Sequence, residues 1–439
     1  MHAPVTDAAA EDPSVAALLA ARPHLSLHPM DGLVLEDVPL NAVAEALGTP
    51  AWVYGAGTLR RRLAALRAAL GGFALVHYAV KANDHLAVLR VLAAGGAGAD
   101  VVSGGELARA RRAGIVPADI VFSGVGKTAD EIRAALGEGI AQLNVESAAE
   151  LAMISAVATA MGRTAPVALR VNPDVDAGTH AKITTGLAEN KFGIPYDEAA
   201  ALYAHAARLP GVRPVGLALH IGSQIVTLGP YRAAFARAAG LVRALRAAGQ
   251  SVTRMDCGGG LGIGYRDEPG ASPEALAGAL RAAFGGMDLE LMIEPGRWLV
   301  GPAGVLLATV LLTKAEGRIA VVDAAMTELI RPAMYDAWHA IIPLAAPRAI
   351  GAPVPVDVVG PVCETSDTFA RGRMLPPLVA GDRVALLDVG AYGAVMSTTY
   401  NARPLAPIAM VDDGRWAVIR PPQPVEELWR VECVPTFLE

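Results

Sequence analysis

The stretch Phe73-Ala-Leu-Val-His-Tyr-Ala-Val80 is apolar and typical of a buried strand, and Lys81-Ala82-Asn83 follows it directly. It is the first of a series of short apolar runs that alternate with Ala- and Arg-rich amphipathic segments. The runs cover residues 73–80, 99–102, 120–123, 142–145, 167–171, 215–220, 252–256 and 289–294. Alternating strands and helices indicate a parallel sheet, and about eight such units predict an α/β fold with a closed (β/α)8 TIM barrel. An open doubly wound sheet is the structural alternative.

After Pro302 the pattern changes to strands that are separated by Gly, Pro and Asp turns, with few helices between them. This change predicts a second, mostly β domain at residues 303–439. Residues 28–56 are typical of a strand, a turn and a short helix, and we expect them to join the β domain. The barrel is then formed by residues 57–302. Residues 1–27 are Ala-rich with scattered acids, and we expect a loose leader there.

Composition excludes several classes of protein. The chain has 439 residues, of which 53% are hydrophobic and 18% charged, with a formal net charge of −6. These values argue against a disordered chain and against a generic nucleic-acid binder. The three cysteines form no pair with zinc-ligand spacing, so we expect neither a metal site nor a disulfide framework. Residues 1–20 lack the shape of a signal peptide, and no apolar run is long enough for a membrane span, so a cytoplasmic protein is expected.

Unusual residues follow several strands at their carboxyl ends, where barrel enzymes carry their reactive groups. Lys81 follows the first strand and is one of only five lysines in the chain. The other strand ends carry His220 with Ser223, the glycines Gly258, Gly259 and Gly260, and the run Glu294-Pro295-Gly296-Arg297. Taken singly, Lys81 is explained equally well as a surface lysine, and a lone histidine such as His220 is more often structural than catalytic.

Two nucleotide-binding motifs are weak or absent. The Gly258–Gly262 loop does not belong to a first βαβ unit, so it matches a dinucleotide fingerprint poorly. Gly126-Lys127-Thr128 resembles the end of a P-loop, but Val121 stands where the first glycine is needed. A lysine amine, a glycine loop and a carboxylate followed by arginine are instead what pyridoxal 5′-phosphate requires. The amine reacts with its aldehyde, the loop binds its phosphate, and the acid keeps its pyridine nitrogen protonated.

These residues resemble the fold-type III pyridoxal-phosphate enzymes, which share the alanine racemase-like architecture. Further motifs are similar to the bacterial diaminopimelate decarboxylases, and they lie at 31–50, 190–194, 331–335, 360–367 and 390–393. The resemblance covers residues 28 to about 430. It implies decarboxylation of meso-2,6-diaminopimelate at its D-centre, giving L-lysine and CO2. This is a carbon–carbon lyase reaction and the last step of bacterial lysine biosynthesis.

The resemblance also implies a role for individual residues. Lys81 would hold the cofactor covalently, His220 would stack on its ring, and Cys363 would donate a proton. The remaining cofactor contacts would come from Asp100, Ser223, Gly258, Gly259, Gly260, Glu294, Pro295, Gly296, Arg297 and Tyr392, with Glu106 nearby. The substrate would be bound by Arg297, Arg331, Tyr335, Glu364 and Tyr392. The Cys363–Glu364 loop would reach into the active site of a second subunit, which makes the enzyme an obligate homodimer.

Three other functions remain open at this point. A decarboxylase of another diamino acid, of the ornithine or arginine type, would share the fold and the cofactor, but ornithine-type enzymes carry Cys-Asp where this chain has Cys363-Glu364 and lack the Arg331 to Tyr335 pattern. A racemase offers no role for Cys363 and Glu364. A non-enzymatic carrier of the cofactor would be a single domain of about half this length. Of the other lysines, Lys127 and Lys314 are expected to be solvated, and Lys182 and Lys191 to lie in a mobile loop at 172–194.

Overall fold

A computed structural model describes residues 12–176, 192–345 and 352–438. The strands are β1 (Leu25–His28), β2 (Gly32–Leu35), β3 (Val38–Pro39), β4 (Ala51–Gly55), β5 (Leu75–Ala79), β6 (Gly98–Val101), β7 (Ile120–Phe122), β8 (Gln142–Val145), β9 (Ala165–Asn172), β10 (Ile194–Pro195), β11 (Val212–Ala218), β12 (Arg254–Asp256), β13 (Glu290–Ile293), β14 (Gly304–Lys314), β15 (Ile319–Val322), β16 (Ile341–Pro343), β17 (Val354–Val359), β18 (Thr368–Leu375), β19 (Arg383–Leu386), β20 (Ile408–Asp412) and β21 (Arg415–Arg420). The helices are α1 (Val15–Ala20), α2 (Leu40–Leu47), α3 (Ala56–Leu70), α4 (Leu86–Ala94), α5 (Gly104–Arg112), α6 (Ala129–Glu138), α7 (Ala148–Ala160), α8 (Ala199–Ala206), α9 (Gly229–Ala247), α10 (Pro273–Phe284), α11 (Arg297–Val300) and α12 (Arg331–Tyr335).

Parallel strands close into a barrel in the order β5, β6, β7, β8, β9, β11, β12, β13 and back to β5. Closure occurs where Met292 of β13 pairs with Leu75 of β5. Each apolar run predicted from the sequence corresponds to one of these strands. The TIM barrel is therefore confirmed, and the open doubly wound sheet is wrong because an open sheet would leave β5 and β13 unpaired with each other.

Local sequence signals set where the barrel helices begin. The side chains of Ser103, Ser147 and Ser272 accept hydrogen bonds from backbone N–H groups in the first turns of α5, α7 and α10. Thr128 and Glu131 form a capping box at the start of α6. Because α5, α6 and α7 begin within a few residues of the preceding strands, the connecting loops at the carboxyl edge stay short there.

The second layer of the molecule is a mostly β domain built around β14. This strand pairs with β4, β15 and β19, and β4 also pairs with β20. One face of the sheet packs against β1–β3 and α2, and buried contacts come from Leu33, Leu40 and Val43 on one side and from Leu307 and Leu387 on the other. The predicted mostly β domain is confirmed, and residues from near the amino terminus supply one of its central strands.

The amino-terminal segment differs from the expected loose leader. Residues 1–11 lie outside the described residues, but residues 12–27 are packed: Leu18 and Leu25 are buried, and Arg22 is 3% exposed. The Arg22 guanidinium forms a buried ion pair with Asp388, and it also donates to the backbone oxygen of Tyr265. Composition alone does not reveal such an anchor, because one arginine in an Ala-rich segment looks like a solvated residue. In the part of the chain that the structure describes, no helix has the length and apolar character to cross a bilayer.

Candidate active site

Lys81 and Asp100 form an ion pair at the carboxyl edge of the barrel. Lys81 lies in a short turn directly after β5, and its Nζ is 2.9 Å from Oδ2 of Asp100 in β6. Asp100 is fully buried, and its Oδ1 has no hydrogen-bond partner among the described residues. Burial opposes the charge on Lys81, but the Asp100 and Glu294 carboxylates outweigh it and raise the pKa of the amine. The free amine is therefore held as an ammonium group in a fixed place.

Glu294 and His220 face each other across the same edge. Nδ1 of His220 lies 3.8 Å from Oε2 of Glu294, and the glutamate is 4% exposed. Burial opposes ionisation of Glu294, but the hydrogen bond with His220 and the charge of Lys81 outweigh it and lower the pKa of the carboxyl group. Burial is the main reason that the pKa of His220 is lowered. The site therefore combines a buried carboxylate with a neutral imidazole, which is 17% exposed.

The glycine loop after β12 has no room for side chains. A Cβ atom at Gly258 would lie 2.1 Å from the carbonyl oxygen of Leu219, and one at Gly259 would lie 2.1 Å from the carbonyl oxygen of Glu294. The φ angle of Gly258 is +70°, which also disfavours other residues. Backbone groups thus line this part of the site, as anion-binding loops require.

Arg297 and Tyr392 lie beside this group. Arg297 begins α11, is buried, and donates from Nη1 to the Tyr265 hydroxyl at 2.7 Å and from Nη2 to Ser223 Oγ at 3.1 Å. Its guanidinium lies 4.9 Å from the centre of the Tyr392 ring. The backbone N–H of Tyr392 donates to the carbonyl oxygen of Ala82, so Tyr392 lies next to the lysine turn. Sequence positions that are about 300 residues apart therefore meet here.

A second buried arginine, Arg331, contacts Tyr265, the tyrosine whose hydroxyl is bonded to Arg297. Arg331 begins α12, and its guanidinium lies 4.9 Å from the centre of the Tyr265 ring, while Nη1 is 2.7 Å from Nε2 of His339. Among the described residues, neither Arg297 nor Arg331 forms an ion pair with a carboxylate, and the Nε atom of each is buried without a partner. Two buried cations without an anion favour a carboxylate or phosphate ligand.

Cys363 and Glu364 lie elsewhere in the β domain. Both are exposed on the loop between β17 and β18. The Glu364 carboxylate accepts a hydrogen bond from the Tyr400 hydroxyl at 3.0 Å, and the backbone N–H of Cys363 donates to Asn401 Oδ1 at 3.5 Å. Their described contacts are thus with neighbouring loops and not with the lysine turn. Tyr335, also expected at the site, ends α12 and is partly buried.

Several residues of the site escaped the sequence analysis. They are the buried polar residues Ser123, Gln142, Asn144, Asp256 and His339, together with Tyr265. Polar side chains within short, otherwise apolar strands were the available signal, because a buried polar group must be hydrogen-bonded.

The prediction of a solvated Lys127 is wrong: its Nζ is buried and donates to Asn144 O, Gly124 O and Glu150 Oε1. The loop prediction for Lys182 and Lys191 lies outside the described residues.

The described residues fit pyridoxal phosphate. Lys81 presents a primary amine, Glu294 a buried carboxylate, and the loop at Gly258–Gly260 a backbone-lined cradle that a Cβ atom would fill. Asp100 keeps one buried carboxylate oxygen without a partner beside the amine. This donor and acceptor set matches the aldehyde, pyridine nitrogen and phosphate of the cofactor.

Comparison with known proteins shows the family. Residues 56–301 match the family model of the pyridoxal-dependent decarboxylases, pyridoxal binding domain. The diaminopimelate decarboxylase of Pseudomonas aeruginosa is 48% identical, with 92% of this chain and 97% of the relative covered, and that of Zymomonas mobilis is 47% identical, with 91% and 96% covered. The crystal structure of diaminopimelate decarboxylase from Helicobacter pylori, complexed with L-lysine, superposes with a TM-score of 0.86 at 41% identity and covers 90% of this chain and 99% of that one. The chain therefore belongs to the diaminopimelate decarboxylase family of pyridoxal-phosphate-dependent enzymes.

Proposed function

We propose that this chain removes CO2 from the D-centre of meso-2,6-diaminopimelate and yields L-lysine, with pyridoxal 5′-phosphate as cofactor. The observation that carries the proposal is the pair of buried guanidinium groups, Arg297 and Arg331, which have no carboxylate partner among the described residues. Both contact Tyr265, Arg297 through the hydroxyl and Arg331 over the ring. Diaminopimelate has two carboxylates, and only one of them is lost. A substrate that keeps a carboxylate far from the reacting carbon fits two unpaired arginines.

The cofactor would be held by residues of the barrel edge. Lys81 would bind it covalently, the His220 ring would stack on it, and Glu294 would pair with its pyridine nitrogen. Its phosphate would contact the backbone at Gly258–Gly260 and Pro295–Gly296, the Ser223 hydroxyl and Tyr392. When bound, pyridoxal phosphate supplies an electron sink for the electron pair that remains when CO2 departs. Asp100 would keep the Lys81 amine oriented throughout, because it is already paired with it at 2.9 Å.

Substrate discrimination would depend on charge at the distal end. Arg297, Arg331 and Tyr335 would bind the carboxylate of the L-centre, and Glu364 would pair with the ammonium group there. Ornithine lacks this carboxylate, so its binding would leave two buried guanidinium groups unpaired at a large free-energy cost. This favours diaminopimelate over the substrates of the ornithine and arginine type.

The proton for the reacting carbon would come from Cys363. Cys363 and Glu364 lie on an exposed loop, and their described contacts are with Asn401 and Tyr400. We infer that this loop completes the site of a second copy of the chain, so that the functional unit is a homodimer with shared sites. Cys257, Cys363 and Cys433 are free thiols, which favours action in the reducing cytoplasm.

Carbon dioxide release tests the proposal directly. Purified protein with pyridoxal phosphate is incubated with meso-diaminopimelate, ornithine, arginine and lysine at equal concentration, and CO2 is measured. We expect release from meso-diaminopimelate, with L-lysine as the amine product and little release from the others. Release from ornithine but not from diaminopimelate would overturn the substrate assignment. Bound cofactor without any CO2 release would favour a carrier.

A further inference from the structure

Four buried polar side chains meet in the interior of the barrel around the Glu294 carboxylate. They are Ser123, which follows β7, Gln142 and Asn144 of β8, and Asp256 of β12. Each is at most 6% exposed. Because β8 and β12 lie on different walls of the barrel, their side chains meet in its interior. Glu294 therefore rests on a polar cluster that the proposed reaction does not itself require.

The orientation of the Asn144 amide is fixed by Gln142. Nε2 of Gln142 donates to Asn144 Oδ1 at 2.9 Å, which leaves Nδ2 of Asn144 to face the acids. This Nδ2 lies 2.8 Å from Asp256 Oδ2 and 3.5 Å from Glu294 Oε1, and it also donates to Ser123 Oγ at 3.0 Å. Ser123 in turn donates to Glu294 Oε1 at 3.3 Å. The amide thus bridges the two carboxyl groups.

The two acids differ in the partners that favour a negative charge. Glu294 is hydrogen-bonded to His220 and lies within the field of the Lys81 ammonium group, and both favour its charged form. Asp256 accepts from the Gly258 N–H at 3.0 Å and from Asn144, is hydrogen-bonded to Glu294, and forms no ion pair among the described residues. Two adjacent buried carboxyl groups cannot both stay charged without a large penalty, so one of them must hold a proton.

We propose that Asp256 is the protonated member of this pair and donates a hydrogen bond to Glu294, so that Glu294 stays a carboxylate in a fixed orientation. Asp256 is a positioning residue here, and Asn144 sets the geometry of the pair. The direction of the pKa shifts agrees: burial, followed by the charge of Glu294, raises the pKa of Asp256 well above its usual value. That the fixed Glu294 carboxylate pairs with the pyridine nitrogen of the cofactor rests on the proposed function, whereas the protonation state of Asp256 is a property of the chain alone.

Infrared spectroscopy measures that state directly. We expect the wild-type protein near pH 8, with and without pyridoxal phosphate, to show the carbonyl band of a protonated carboxylic acid that shifts in D2O. Labelling of aspartate with 13C should shift this band, which assigns it to an aspartate without any substitution. Asp256→Asn should remove it, and Asp267→Asn, at an exposed position, should leave it unchanged. An aspartate-labelled sample without such a band, or a band that survives Asp256→Asn, would overturn the proposal.

Two variants of Asp256 distinguish a role as a neutral hydrogen-bond donor from a role as a negative charge. Asp256→Asn keeps a neutral hydrogen-bond donor toward Glu294, so its affinity for pyridoxal phosphate and the pH dependence of the cofactor absorbance should stay near wild type. Asp256→Ala removes the donor to a charged group and should weaken cofactor binding by roughly 10- to 100-fold. Equal losses in both variants, with circular dichroism showing both folded, would mean that Asp256 acts as an anion and contradict the proposal. If the wild-type protein shows the infrared band of protonated Asp256 but releases no CO2, the proposed decarboxylation is refuted and the protonation of Asp256 still holds.

Discussion

The Tyr265 hydroxyl oxygen accepts a hydrogen bond from Nη1 of Arg297 at 2.7 Å. The same tyrosine ring lies 4.9 Å from the Arg331 guanidinium and meets His339 edge-on at 5.2 Å between ring centres. One aromatic side chain therefore sets the separation of the two buried cations. Its backbone oxygen accepts from Arg22, so the amino-terminal segment supports this arrangement from outside the barrel.

Tyr265→Phe should weaken substrate binding more than cofactor binding. The variant keeps the ring beneath Arg331 but removes one partner of the buried Arg297, and a hydrogen bond to a charged group is worth about 1.5–3 kcal/mol. We expect kcat/KM for meso-diaminopimelate to fall roughly tenfold or more, mainly through KM. Tyr196→Phe is the matched control, because the Tyr196 hydroxyl donates to the backbone oxygen of Arg237 at the surface, far from either arginine of the site. Equal effects in both variants would contradict the role of Tyr265.

Lys81→Ala should abolish covalent attachment of the cofactor. The amine of Lys81 is the one that lies beside Asp100 at the carboxyl edge of the barrel. Borohydride reduction followed by peptide mass spectrometry should find the cofactor on Lys81 in the wild type and on no lysine in the variant. Lys314→Ala removes an exposed lysine and should retain the labelled peptide and full activity. Labelling of another lysine in both proteins would assign the covalent role elsewhere.

Mixed dimers should recover activity that neither parent has. If Cys363 serves the site of the partner, a dimer of one Lys81→Ala and one Cys363→Ala subunit contains one intact composite site. We expect mixing of the two inactive proteins to restore about a quarter of wild-type activity when subunits exchange at random and each protein supplies half of them. Subunit exchange is verified by native mass spectrometry of differently tagged chains. Complete exchange without recovered activity would refute the shared site.

The Arg22–Asp388 pair should contribute strongly to stability. Both side chains are almost fully buried, at 3% and 2% exposed. Arg22→Ala leaves a buried carboxylate without its partner, so the free energy of unfolding should fall by about 3–5 kcal/mol. The pair of Arg60 with Asp412 is about half exposed, and Arg60→Ala should cost no more than about 1 kcal/mol. Urea unfolding of both variants measures the difference, and similar losses would show that Arg22 is not an anchor.

Protonation of His77 should lower stability in mild acid. His77 is 3% exposed within β5, and burial lowers its pKa from 6.5 to about 4. The unfolded chain therefore binds more protons than the folded one between pH 6.5 and about 4, so stability falls as the pH falls through this window. Relative to wild type, His77→Gln should flatten the dependence of the free energy of unfolding on pH there. His28→Gln, at an exposed position, is the control, and an unchanged slope in His77→Gln would contradict the assignment.

The barrel was predictable because its signals are local. The strand run at 142–145 appears with the predicted bounds, and the short helix expected within residues 28–56 is Leu40–Leu47, since apolar runs and turn residues act within a few residues. The carboxyl-edge rule for barrels then places Lys81, His220 and Glu294 at one end. The amino-terminal anchor escaped prediction, because the partner of Arg22 lies 366 residues away.

By itself the sequence determined the fold class, the order of the strands and the residues that follow each strand, since hydrophobic periodicity and chain order are both written along the chain. Tertiary structure alone decided which of the 32 arginines are buried, what faces them and where each acid is protonated. Arg297 and Arg331 differ from solvated arginines only because Tyr265 and His339 surround them. Asp256 differs from a solvated aspartate only because the barrel encloses it beside Glu294, and charge state depends on such surroundings rather than on residue type.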